Sequence, residues 1–169
     1  MSSPVRILCA GAGHMGRSHA LAYHQLDGFE IVGLCTRSAA SREALNRELG
    51  GTYAEYGDFL AALAETRPDA VSISTYPDTH APYARAALEA GCHVFTEKPI
   101  ADSVAAAEDL VALARAAGKR VHVLHVTTGE EMAFLADQKD VATVETSPTE
   151  AVTRVADRST LIRSLRSSP

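Results

Sequence analysis

The chain has 169 residues and no apolar stretch approaching the ~20 needed to span a bilayer, so no transmembrane helix and no membrane partner is expected. Its first residues, MSSPVRILCAGAG, lack the long apolar segment of a secretory signal. Positive charge is also scarce. The net charge is -5 and no basic stripe occurs before the last twenty residues, which argues against a nucleic-acid partner. The three cysteines, Cys9, Cys35 and Cys92, lie far apart and form no CxxC pair, which excludes a disulfide framework. Each sits in or beside an apolar run, so they read as buried free thiols, and a reducing cytoplasm fits them. There is no His-x-His pair and no internal repeat.

What is present is an ordinary globular composition, 46% hydrophobic and 22% charged, in a chain long enough for one domain with a real core. Residues 5–10 form a short apolar run ending in glycines and read as a buried strand. A helix is expected over 15–26, a strand over 30–35, and a helix over 41–49 stopped by Gly50-Gly51. A very short strand is expected at 52–53. Tyr56 and Asp58 open a helix over 58–65, with Phe59 and Leu60 as core and a stop near Pro68. Strand 70–74 precedes a helix over 80–90 with Pro82 in its first turn. Strand 93–96, helix 103–117 closed by Gly118, and strand 120–126 complete the series. Strands alternating with helices imply a parallel sheet covered on both faces, and right-handed crossovers make it doubly wound and Rossmann-like. Ligands of such sheets sit at the carboxyl ends of the strands.

"GAGHMG" is Gly11-x-Gly13-x-x-Gly16, placed after a strand and opening a helix, the context a dinucleotide-binding loop requires. Gly11 permits the tight turn, Gly13 lets backbone approach a pyrophosphate, and Gly16 lets helix and strand pack closely. His14 and Met15 start the helix, whose N-terminus offers free N–H groups to the anion. The next determinant ends the second strand, where an acid would bond the ribose 2′-hydroxyl. This sequence has Thr36, Arg37 and Ser38 there. A hydroxyl with a guanidinium suits a 2′-phosphate, so NADP is expected over NAD. His14, His19 and His24 recur every five residues, a period that does not stack side chains on a helix, so no metal cluster is expected.

Together with "STYPDTHAPYARAALEAGCHVFTEKPI", this loop resembles the N-terminal domain of the Gfo/Idh/MocA oxidoreductases over roughly residues 4–120. The resemblance implies hydride transfer between a nicotinamide cofactor and a sugar or polyol. It makes Lys98, in the Glu97-Lys98-Pro99 motif, the catalytic candidate between nicotinamide ribose and substrate. An ammonium there can orient a hydroxyl and stabilise charge on its oxygen. Thr75 and Pro77 are implied to line the nicotinamide side, although Tyr76 stands where the family usually has proline. His80, Glu97 and Lys98 are counted with the cofactor-binding residues; His80 is expected to begin a helix and bind local backbone rather than act as a base.

The resemblance stops where the family's second, substrate-binding domain should begin. Residues 120–147 instead resemble a segment of dihydroorotase-type amidohydrolases, in which His125 would be a zinc ligand and His122 structural. That reading lacks the other ligands and a base, and the chain has no room for eight β/α units, so the two histidines are expected to be strand residues. Thr128 and Glu131 form a capping box and 141–144 reads as a strand, a strand–helix–strand unit that could extend the sheet. From about 147 the patterning allows either a modest amphipathic helix or disorder. The expected organisation is a dinucleotide-binding domain over 1–126 and an extension over 127–169, with homo-oligomerisation open. Two alternatives stay open: a dinucleotide-binding module without turnover, and a fragment of a zinc amidohydrolase.

Overall fold

The computed structural model describes residues 3–124 and 141–144. In chain order these form β1 (Val5–Ala10), α1 (His14–Gln25), β2 (Phe29–Cys35), α2 (Ala39–Glu48), β3 (Glu55–Tyr56), α3 (Phe59–Thr66), β4 (Ala70–Ile73), α4 (Pro77–Glu89), β5 (His93–Glu97), α5 (Val104–Ala117), β6 (Val121–Leu124) and β7 (Val141–Val144). The strands make one sheet in the order β3-β2-β1-β4-β5-β6-β7. Every pairing is parallel, including β7 on β6 with Val121 opposite Val141. The sheet is the doubly wound, Rossmann-like one expected.

Side-chain alternation explains the continuous apolar runs. Along β1, Ile7 and Cys9 face one side and join Ala20, Tyr23, Leu45 and Phe95 in a core with α1 and α2. Leu8 and Ala10 face the other and join Phe59, Leu63, Leu88 and Leu110 in a core with α3, α4 and α5. Every residue of β4 and β5 is buried. A fully buried leucine such as Leu110 contributes about 1.5–3 kcal/mol to such a core.

Four local expectations change. The short strand is Glu55–Tyr56, not 52–53, because the Asn46 side chain takes both backbone groups of Tyr53: Oδ1 accepts from its N–H at 3.0 Å and Nδ2 donates to its carbonyl at 2.9 Å. Asp58 is the N-cap of α3, its carboxylate accepting from the Ala61 N–H at 2.8 Å, while Tyr56 belongs to β3. Leu60 is 61% exposed, because the buried stripe of α3 runs through Phe59, Ala62, Leu63 and Thr66 and places Leu60 off that face. Helix α4 starts at Pro77, three residues earlier than expected, so Pro77 fills the first-turn role and Pro82 lies inside the helix. Strand β6 is described from Val121 to Leu124; the expected helix at 128, the tail and His125 lie outside the described residues.

The order of strands puts β1 beside β4, while the chain departs from them in opposite directions. The crevice at their carboxyl ends is where such a sheet takes a ligand.

Candidate cofactor-binding site

At that crevice is a cleft of about 410 Å³, lined by the loop after β1 (Gly11 to Gly13), the end of β2 (Cys35 to Ser38) and the loop after β4 (Ser74 to Tyr76), with Thr79 and Tyr83 of α4. The glycines show why two positions of this loop tolerate no side chain. Gly11 has φ +106°, and a Cβ there would lie 2.2 Å from the Ser74 carbonyl oxygen. A Cβ on Gly16 would lie 2.2 Å from the Gly11 carbonyl oxygen, so α1 rests directly on the loop. A Cβ on Gly13 would meet nothing within 4 Å. Two glycines close the turn and the third borders open space, as the approach of a phosphate group requires.

Helix ends reinforce this. Helices α2, α3 and α5 are capped by the side chains of Ser38, Asp58 and Ser103. Helices α1 and α4, which begin at the cleft, have no side-chain cap. The first N–H groups of α1 remain available to an anion, while α4, which starts with Pro77 and has the Thr79 N–H bonded to the Tyr76 carbonyl, offers mainly its positive dipole end. The donor set and the open cradle therefore fit a dinucleotide.

Of the residues expected from sequence, Gly11, Gly13, Thr36, Arg37 and Thr75 line the cleft. His14 and Met15 lie in the first turn of α1, His14 exposed and Met15 half-buried. Gly16 is buried beneath the loop, and Pro77 is exposed at the start of α4. Glu97 is buried at the end of β5 and Lys98 next to it is exposed. His80 is buried in α4 with ring nitrogens 2.7 Å from the Pro99 carbonyl oxygen and 3.1 Å from that of Thr75. It meets backbone, as expected, although one partner is 19 residues away. The period-five histidines diverge: His19 meets Glu97 and His24 meets the Tyr53 hydroxyl at 2.7 Å.

None of the lining residues is acidic. Arg37 is exposed at the lip, and Thr36 is fixed by its N–H donating to the Tyr56 carbonyl at 3.1 Å and its carbonyl accepting from Arg42. Ser38 and Ser41 add hydroxyls on the same side. Sequence reading passed over Ser41, Thr79 and Tyr83. Ser41 follows its cap residue Ser38 by three positions, a signal that was available. Tyr83 stacks on Phe59 at 4.0 Å, a pairing across 24 residues that no local pattern announces. Cys35 also reaches the cleft, but burial pushes its thiol up to about 11, and Cys9 and Cys92 to about 12 and 11, so all three stay protonated at neutral pH. All are free.

Residues 5–125 match the oxidoreductase family model for the NAD-binding Rossmann fold, GFO_IDH_MocA. The chain belongs to the Gfo/Idh/MocA oxidoreductase family. It is 34% identical to D-glucoside 3-dehydrogenase of Escherichia coli over 119 residues, covering 70% of this chain and 34% of that one. It is 29% identical over 145 residues to inositol 2-dehydrogenase of Paracoccus denitrificans, covering 85% and 43%. The WlbA dehydrogenase of Bordetella pertussis, solved with NADH and UDP-GlcNAcA, superposes with a TM-score of 0.65 at 26% identity, covering 71% of this chain and 36% of that one. The chain thus spans less than half the length of these relatives. The match ends at residue 125, just past β6. In β6, His122 is a buried strand residue stacked on Phe95 at 4.7 Å. Among the described residues no helix is long and apolar enough to cross a membrane, and no cluster of three potential metal ligands occurs.

Proposed function

We propose that this chain binds NADP(H) and provides the cofactor half of an oxidoreductase that interconverts a hydroxyl and a carbonyl on a sugar or polyol carbon. The observation that carries the cofactor choice is the acid-free adenosine end of the cleft. Thr36, Arg37 and Ser38 stand where a carboxylate would have repelled a 2′-phosphate. Charge-assisted bonds from Arg37 should favour NADPH over NADH by about tenfold or more. Fluorescence titration with both nucleotides tests this, and equal or tighter NADH binding overturns it.

The substrate class is supported by the relatives, whose names describe dehydrogenases of a glucoside and of inositol, both polyhydroxylated. When bound, the nicotinamide accepts or returns the hydride. The protein's share is placement. Gly11, Gly13 and the bare end of α1 hold the pyrophosphate, while His14, Met15 and Gly16 shape the helix behind it. Thr36 and Arg37 hold the adenosine end, and Thr75 and Pro77 border the nicotinamide side. The Lys98 ammonium donates to the reacting hydroxyl oxygen and stabilises negative charge there as the hydroxyl proton passes to solvent water at this exposed position. Lys98→Ala should keep NADPH affinity within about threefold and remove sugar oxidation. Full oxidation in that variant would show that Lys98 has no catalytic role.

A second reading is nucleotide binding without turnover, favoured by a cleft whose lining does not include Lys98. Tight NADPH binding with no hydride transfer to inositol or any glucoside tested selects that reading.

A further inference from the structure

The three residues 97–99 leave the end of β5 and are gripped from both faces of the sheet. On the α1 face, His19 Nε2 lies 3.1 Å from Glu97 Oε1. The two side chains are only 7% and 10% exposed. A carboxylate only accepts, so the ring donates. On the α4 face, His80 is 1% exposed, with Nδ1 2.7 Å from the Pro99 carbonyl oxygen and Nε2 3.1 Å from the Thr75 carbonyl oxygen. One imidazole therefore touches the segment after β5 and the cleft-lining loop after β4. Between these contacts the Lys98 side chain is exposed.

Neither contact is a cheap way to fill space. A buried histidine–carboxylate pair generally stabilises no more than apolar residues of the same volume would, so its distinctive contribution is geometry. A carboxylate is rarely buried unless paired. The two histidines lie 61 positions apart in sequence and converge on the residues flanking Lys98.

We propose that His19 and His80 are positioning residues. They clamp the 97–99 segment from opposite faces of the sheet and fix where Lys98 is presented at the rim of the cleft. This rests on the reading of Lys98 as the substrate-side cation.

Lys98 is one of three lysines, with Lys119 and Lys139, so reductive ¹³C-methylation of the chain gives a simple NMR spectrum in which Lys98→Arg assigns the signal. Saturation with NADPH should move the Lys98 resonance and leave Lys119 in place. His19→Leu and His80→Leu should keep the NADPH Kd within about threefold while losing most of that movement. His19→Gln, which can still donate to Glu97, and His80→Asn, which can still donate to Pro99, should restore it. Full movement in both leucine variants overturns the clamp. Should a leucine variant not fold, His19→Asn and His80→Gln, polar but of the wrong reach, replace it under the same criterion. Should NADPH leave the Lys98 resonance of the unaltered chain unmoved, the functional reading of Lys98 fails. The clamp is then judged by exchange of the Lys98 backbone amide without nucleotide. Exchange about tenfold faster in the variants supports it and unchanged exchange overturns it.

Discussion

At the amino end of the sheet, side chains close what the backbone leaves open. Arg6 donates from both terminal nitrogens, to the carbonyls of Arg67 and Thr66, each at 2.7 Å. Asp69 accepts from the Arg6 N–H at 2.9 Å, the Cys92 thiol donates to the Pro68 carbonyl at 3.1 Å, and the Arg120 N–H donates to His93 Nδ1 at 3.2 Å. At the carboxyl end the opposite holds: α1 and α4 start without side-chain caps around a cleft bordered by the open face of Gly13. The same parallel sheet is tied shut by side-chain bonds at one end, where a cleft of about 300 Å³ still borders Asp69 and His93, and is held open at the other. Helix dipoles direct their positive ends toward the open one, where a phosphate belongs. Changes at the sealed end should therefore move stability and spare affinity. Changes at the open end should move affinity, except where the loop is itself the packing.

Gly11→Ala is that exception and carries the largest expected effect. The methyl group would collide with the Ser74 carbonyl in a left-handed backbone that alanine rarely adopts. A loss on the order of 4 kcal/mol is expected, read as a lower urea midpoint, together with loss of NADPH binding. A stable variant with intact affinity would break the picture of a loop closed by contact.

Acid should open the sealed end. Burial first, then the Lys119 and Arg120 charges, lower His93 from 6.5 to about 4 against an opposing Asp69. Burial, then Arg120 and His93, lower His122 from 6.5 to about 4, and its Nε2 is buried with no hydrogen-bond partner among the described residues. The folded state thus refuses protons that the unfolded chain accepts. Stability is complete above about pH 6.5 and falls as the pH drops toward 4. His122 alone contributes a loss of roughly 3 kcal/mol by the lower limit. His122→Phe keeps a ring against Phe95 and should flatten the acid limb of the urea midpoint measured from pH 7.5 to 4.5. An unchanged limb removes His122 from the cause.

What could be read from the sequence followed from locality. The apolar runs of β1, β2, β4 and β5 and the glycine loop are contiguous, so strand type, strand–helix order and the place of the phosphate loop were legible, as was β7 at 141–144. The start of α4 was not, because two prolines compete and Pro77 is favoured by its place just after β4, where Thr79 bonds Thr75 across one turn at 2.7 Å. Nor was the shift of β3 to Glu55, since it depends on one asparagine reaching out from α2. In the site, Gly11, Gly13, Thr36 and Arg37 were visible because one loop and one strand end carry them. The His19–Glu97 contact spans 78 positions and is created only when α1 is laid against β5. Local patterns reveal which residues begin an element, and tertiary packing decides which distant side chains then meet.

Arg6→Ala tests the sealed end directly. It removes two hydrogen bonds from a guanidinium to backbone carbonyls, at a cost of about 1–3 kcal/mol, measurable by urea denaturation. NADPH affinity should stay within about twofold, because Arg6 lies at the far end of β1 from the cleft. A parallel fall in affinity would mean that the two ends are coupled through the sheet.

The smallest expected change is the most specific. Arg37 is exposed at the lip of the cleft, so Arg37→Glu should leave the urea midpoint unmoved. It replaces the cation nearest the expected 2′-phosphate with a carboxylate, a group suited instead to a ribose 2′-hydroxyl. NADPH affinity should fall about tenfold or more while NADH affinity holds or rises, inverting the preference. Equal losses for both nucleotides would assign Arg37 to the adenine or to general electrostatic attraction. The choice between the two cofactors would then rest on Thr36, Ser38 and Ser41.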